Sequence, residues 1–77
     1  MPTIFQLGRY RFAFLSNEGD ESPHVHVRAG SDQAKFWLEP VGLAASYGFR
    51  AHELREIERI VGERRAELLE AWHEHFG

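Results

Sequence analysis

The feature that most constrains the fold is an alternation of apolar and polar side chains over residues 24–28. Val25 and Val27 alternate there with His24, His26 and Arg28. Successive side chains of a β-strand point to opposite faces of the sheet, so this pattern is typical of a strand with one buried and one polar face. We therefore predict a strand over residues 23–28.

A second alternating segment, residues 33–39, follows a turn at residues 29–32. Directly opposed residues of an antiparallel pair lie on the same face, and a one-residue slip reverses a whole strand. With a four-residue loop at 29–32, burying both apolar sets together pairs His26 with Lys35, His24 with Trp37 and Arg28 with Gln33. The remaining polar side chains would then share the solvent-facing side as one group, the outer patch: His24, His26, Arg28, Lys35, Trp37 and Glu39.

Two further strands are predicted near the start of the chain, over residues 3–7 and 10–16. Gly8-Arg9 between them suits a tight hairpin turn with glycine at the first central position. In the second strand, aromatic side chains share one face, which we assign to the core, and the intervening side chains share the other. The aromatic set is Tyr10, Phe12 and Phe14, and the intervening set is Arg11, Ala13 and Leu15.

The last part of the chain is predicted to be helical. Pro40 ends the sheet and can begin a short helix over residues 41–47, which Gly48 would close. From residue 51 to 75, apolar side chains recur at helical spacing as one stripe: Leu54, Ile57, Val61, Leu68, Trp72 and Phe76. Gly62 lies within this helix and costs about 1 kcal/mol relative to Ala, so it indicates a bend, a break into two helices or a tight crossing over the sheet.

These elements predict an α+β fold, a four-stranded antiparallel meander followed by a short and a long helix, in one domain spanning residues 1–77. The sequence leaves open which sheet face the long helix covers. We predict the aromatic face, with Leu68 and Trp72 buried against it.

Size and composition limit the classes of function. A chain of 77 residues without cysteine has a small core and no disulfide support, which is consistent with a homodimer or a partner protein. The net charge of −3 argues against a general nucleic-acid binder that relies on a long-range basic field. The chain has neither a signal-peptide pattern nor an apolar run of membrane-spanning length, so we expect a cytoplasmic protein without membrane contact.

The outer patch carries the chemistry. Imidazoles exchange protons near neutral pH, so His24 and His26 are candidate catalytic residues. Arg28 and Lys35 can hold a phosphate, and Trp37 can stack on a base. Glu39 is the fourth candidate binding residue. The alternative is a protein-interaction face without catalysis. The pair His24-x-His26 can also share a metal ion with Glu18 or Glu39, but the spacing does not fix a third ligand, so we predict no metal and no cofactor.

Two motifs carry a family resemblance: Pro23-His24-Val25-His26-Val27 and Ala34-Lys35-Phe36-Trp37-Leu38-Glu39-Pro40. With them, the chain resembles the small bacterial and archaeal proteins catalogued as domain of unknown function 4160. The likeness includes Ser16-Asn17-Glu18 and Glu53-Leu54-Arg55. Arg50 departs from the family pattern, which often has Ser or Thr as the helix N-cap there.

The resemblance implies a component of a two-protein module, of which some are suspected toxin–antitoxin pairs, and it assigns no catalytic residue. We therefore predict a small cytoplasmic component of such a module, whose outer patch binds a partner protein or RNA and which can act as a metal-independent ribonuclease. The alternative is a non-catalytic protein-interaction module or an antitoxin-like partner.

Overall fold

A computed structural model describes residues 3–15 and 18–77 of the chain, with the side chain of Thr3 excluded. The order of elements is β1 (Thr3–Leu7), β2 (Tyr10–Ala13), β3 (His24–Ala29), β4 (Asp32–Leu38), β5 (Val41–Tyr47), α1 (Ala51–Glu63) and α2 (Arg65–Phe76). The fold is α+β, as predicted, but its antiparallel sheet has five strands in the order β1-β2-β3-β4-β5.

The predicted register between β3 and β4 is confirmed. His26 lies opposite Lys35, His24 opposite Trp37 and Arg28 opposite Gln33. The alternation excludes slips by an odd number of residues, because these would bury the polar sets, and the short turn at residues 29–32 selects this register among the others. The second predicted strand ends earlier than expected, at Ala13, and its predicted last residue, Ser16, lies outside the described residues.

The prediction of a short helix over residues 41–47 is wrong, since Val41–Tyr47 forms β5 and pairs with β4 along its length. Pro40 lies in the two-residue turn before it, after a cis peptide bond, rather than at a helix start. Gly48 ends the strand with a φ of 93°, and a side chain there would clash with Asp32. The hydrogen bonds that residues 41–47 make with the backbone of β4 outweigh the helical propensity of this alanine-containing segment.

One face of the sheet, the inner face, packs against both helices and forms the core. Its largest fully buried side chains include Phe12, Val25, Val27, Phe36 and Leu38. The predicted helical stripe covers this face, because Ile57, Val61, Leu68 and Trp72 are buried in the same cluster and Leu54 packs at its margin. The aromatic face is therefore the covered one, and the opposite side of the sheet is called the outer face below.

The long helix is broken at Arg64, two residues after Gly62, into α1 and α2. Arg64 has a φ of −107°, and its guanidinium lies 4.8 Å from the centre of the Phe5 ring. At the start of α1, the backbone N–H of Arg50 donates to the Glu53 carboxylate at 2.9 Å. Glu53 thus supports a helix start whose N-cap residue has no side-chain acceptor. No helix within the described residues is long and apolar enough to cross a membrane.

Candidate functional site

The outer face carries a row of polar side chains that runs across all five strands. Cross-strand pairing joins Gln6 to Arg11, Arg11 to Arg28, Arg28 to Gln33 and Gln33 to Tyr47. We call these five residues the arginine row. All of them are exposed, and Tyr47 at the end of the row is 74% exposed.

Two positive charges face each other in the middle of this row. Arg11 and Arg28 are directly opposed on β2 and β3. Like charges in directly opposed positions of an antiparallel pair are unfavourable. Among the residues that the structure describes, neither guanidinium has an acidic side chain within 4.0 Å. Together with Gln6, Arg9 and Gly30, they line a surface depression of about 350 Å³.

Arg9 at the margin of this depression differs from the other two arginines. Its guanidinium contacts the Glu53 carboxylate at 2.8 Å and the Asp32 carboxylate at 3.5 Å. These two acids hold Arg9 toward α1 and the start of β4. The uncompensated charge of the depression therefore belongs to Arg11 and Arg28.

At the other end of β3, two histidines converge on one carboxylate. Glu18 Oε1 lies 2.8 Å from Nε2 of His24 and 2.8 Å from Nε2 of His26. His24 is only 1% exposed, so the prediction that it lies in a solvent-facing patch is wrong. Its ring is covered by Trp37 and Trp72, whose ring centres lie 5.6 and 5.0 Å from that of His24. We call Glu18, His24 and His26 the histidine cluster.

The hydrogen bonds of His24 fix where its protons lie. Nδ1 of His24 is 2.8 Å from the backbone carbonyl oxygen of Ser22, which can only accept, so Nδ1 donates. In a neutral ring, Nε2 would then carry a lone pair, and this acceptor would face the acceptor oxygen of the Glu18 carboxylate, which is unfavourable. The contact at Nε2 therefore requires a second proton on His24 or another cation between the two groups.

The electrostatics of Glu18 reflect the same contacts. Partial burial alone raises the pKa of this carboxyl group, but the hydrogen bonds with His24 and His26, together with electrostatic attraction to the two imidazoles, lower it by more. The net pKa of Glu18 lies below its ordinary value. Glu18 is therefore an anion near neutral pH, held beside a buried imidazole.

Of the remaining members of the outer patch, Lys35 and Trp37 lie together and Glu39 lies apart from them. The Lys35 ammonium lies 2.9 Å from the Glu21 carboxylate and 4.7 Å from the centre of the Trp37 ring. Glu39 lies in the turn after β4, where its carboxylate is 3.8 Å from Arg65 of α2. Glu39 thus interacts with a helix on the inner side rather than with the lysine and histidine.

Of the arginine row, only Arg28 was among the predicted site residues, and Glu18 had been named only as one of two alternative metal ligands. Arg11 had been placed on the non-aromatic side of β2, but its pairing with Arg28 depends on the loop between β2 and β3. Glu18 lies in that loop, where spacing in the sequence does not determine position. Tyr47 was missed because its segment was predicted to be a helix.

Comparison with known proteins gives one match. A family model described as "Domain of unknown function (DUF4160)" matches residues 10–73. No curated protein and no solved structure matches the chain.

Proposed function

The chain belongs to this family of unknown function, the DUF4160 family, and from its geometry we propose that the arginine row binds single-stranded RNA. The observation that carries the proposal is the direct opposition of Arg11 and Arg28 without an acidic partner among the described residues. Within a two-protein module, this chain would be the component that contacts RNA.

The opposed arginines supply the electrostatic part of the proposal. Two guanidinium groups on adjacent strands repel each other, which costs stability in the free protein. A phosphate between them turns that repulsion into two charge-assisted hydrogen bonds, and arginine matches the geometry of phosphate oxygens well. Binding of a polyanion therefore removes a penalty that the free fold carries.

The rest of the row suits a flexible strand of nucleotides. Five adjacent strands spaced by about 4.8 Å make a row roughly 19 Å long. Gln6 and Gln33 flank the arginines and offer amide donors and acceptors to base edges, and the exposed Tyr47 offers a ring on which a base can stack. A single strand can turn its bases toward such a flat surface, whereas a duplex keeps them stacked inside.

The proposal is one of binding and not of cleavage. A catalytic histidine must reach the substrate with a free ring nitrogen. His24 is buried, and Nε2 of both histidines is directed at Glu18. This arrangement favours RNA binding without catalysis over a ribonuclease that uses Nε2 of either histidine.

Titration of a fluorescently labelled single-stranded RNA, read by anisotropy, tests the proposal. The double variant Arg11→Gln/Arg28→Gln removes the opposed pair. The matched control Arg55→Gln/Arg59→Gln removes two exposed charges from α1. We expect the first variant to weaken binding by at least about 10-fold, since hydrogen bonds to charged groups contribute about 1.5–3 kcal/mol each. The control should change binding by less than about 2-fold.

Salt dependence provides a second readout. Two phosphate contacts predict a slope of about −1.4 for the logarithm of the association constant against the logarithm of salt concentration. The Arg11→Gln/Arg28→Gln variant should have a slope near zero. Equal weakening in both double variants would show that only overall charge matters, and wild-type protein that binds no RNA would refute the proposal and favour an acidic protein partner.

A further inference from the structure

The histidine cluster is the basis of a second proposal, which is independent of RNA binding. We propose that Glu18, His24 and His26 form a binding site for a divalent transition-metal ion, with Zn²⁺ as the best fit. Their three donor atoms all lie within 4.8 Å of one another. The sequence alone had predicted no metal, because the position of Glu18 could not be read from spacing.

The donor set favours an ion of this class. Two imidazole nitrogens and one carboxylate oxygen are ligands that Zn²⁺ takes in proteins, and a site with three protein ligands leaves a position for water. Magnesium and calcium prefer sites made of oxygen atoms alone. The cluster therefore selects by ligand type against the two most abundant divalent ions.

His24 already has the hydrogen bond that a metal-bound histidine needs. Metal-ligating histidines nearly always donate the other ring N–H to a carbonyl or carboxylate, which fixes the tautomer and the ring orientation. Nδ1 of His24 makes this bond to the Ser22 carbonyl at 2.8 Å, and so directs the lone pair of Nε2 toward Glu18 and His26. An ion between these groups satisfies that lone pair without a second proton on the buried ring.

The distances between the donor atoms of the histidine cluster are close to the ligand–ligand distances of a metal site. With metal–ligand bonds of about 2.0–2.1 Å, tetrahedral ligands lie about 3.4 Å apart. The two N–O distances here are 2.8 Å, and no pair of donor atoms exceeds 4.8 Å. Small rotations of side chains therefore convert the hydrogen-bonded cluster into a coordinated one.

The surroundings hold two of the ligands in place. The buried His24 ring packs against both Trp37 and Trp72. The loop that carries Glu18 lies close against α2, since a Cβ atom at Gly19 would be 2.7 Å from Cδ1 of Phe76. The side chain of His26 is 18% exposed, which leaves one side of the cluster open to an entering ion.

Metal titration of chelator-treated, tag-free protein tests the inference. Calorimetry with Zn²⁺ gives affinity and stoichiometry, and the visible absorption of Co²⁺ reports nitrogen and oxygen ligands in a tetrahedral site. We expect one ion per chain. The variants Glu18→Gln and His26→Gln should each lose at least about 100-fold in affinity, because loss even of a residue that only supports a ligand costs 10–100-fold.

The variant His52→Gln is the matched control, because it removes an exposed imidazole from α1. It should bind one ion with unchanged affinity. Circular dichroism will show that the variants are folded, and Zn²⁺ should raise the melting temperature of the wild type but not of Glu18→Gln. Binding that survives in both Glu18→Gln and His26→Gln, or is lost in His52→Gln, would overturn the inference, as would a wild type without saturable binding.

Discussion

The two faces of the sheet make opposite contributions to the stability of the protein. The inner face buries Val25, Val27 and Phe36 completely against two helices, and its side chains serve stability. On the outer face, Arg11 lies opposite Arg28 with no acidic side chain beside them among the described residues. This pairing of like charges lowers the stability of the fold. Both faces result from the same alternation along β3. The difference indicates that in this small domain, function is to be sought where cross-strand pairing is unfavourable.

The largest expected effect comes from the inner face. Leu68→Ala removes a fully buried side chain from the contact between α2 and the sheet. The free energy of unfolding should fall by about 2–4 kcal/mol, from lost burial and the cavity that remains. Urea denaturation measures it, with the exposed Glu70→Ala on the same helix as control. A loss below about 0.5 kcal/mol would mean that the inner face is not the source of stability.

A smaller effect, of opposite sign, is expected on the outer face. Arg11→Gln removes the repulsion with Arg28 and should stabilise the free protein by about 0.2–1 kcal/mol at low salt. The gain should shrink as salt screens the charges. The same substitution in an Arg28→Gln background serves as the control, and no such gain is expected there because the opposed charge is already absent. Destabilisation by Arg11→Gln would show that the arginine has a favourable partner, and the contrast between the faces would disappear.

The smallest effect concerns the hairpin and helix that border both faces. The pKa of Glu53 is lowered by the backbone N–H of Arg50, and further by the charge of Arg9, although partial burial opposes the shift. A carboxyl group with a lowered pKa in the folded state contributes stability above its ordinary value of 4.5 and loses it as pH falls through the folded pKa.

Glu53→Gln tests this sign directly. In melting experiments from neutral pH to acid, the wild type should be slightly more stable than the variant above pH 4.5, and the two should converge as pH falls. A difference that stays constant through the acid range would assign the effect to packing rather than to charge.

The sequence was sufficient for those parts of the fold in which alternation and burial agree. The register of β3 with β4 follows from the valines of one strand and Phe36 and Leu38 of the other. The helical stripe follows from spacing in the same way. In contrast, β5 could not be recognised, because an irregularity opposite Lys35 and Phe36 shifts its pairing and breaks the period-two pattern.

The candidate sites were only partly predictable, for a related reason. Arg28, His26 and Lys35 were placed correctly relative to one another, because they lie on regularly paired strands. Glu18 and Arg11 depend on the long loop between β2 and β3, and loop conformation does not follow from a periodic pattern. The burial of His24 also depends on Trp72, a contact between distant parts of the chain that periodicity does not specify.

Side-chain N–H groups allow the central claim, that the arginine row binds RNA, to be tested in one measurement. Arg11, Arg28 and Gln33 are adjacent members of the arginine row, and Trp72 lies in the inner core. In ¹H–¹⁵N spectra recorded during titration with single-stranded RNA, we expect the Arg11 and Arg28 Nε–H signals and the Gln33 side-chain amide signals to shift. The Trp72 indole and the Arg55 Nε–H should stay in place. Shifts confined to Trp72 and Arg55, or no shift at saturating RNA, would contradict the account.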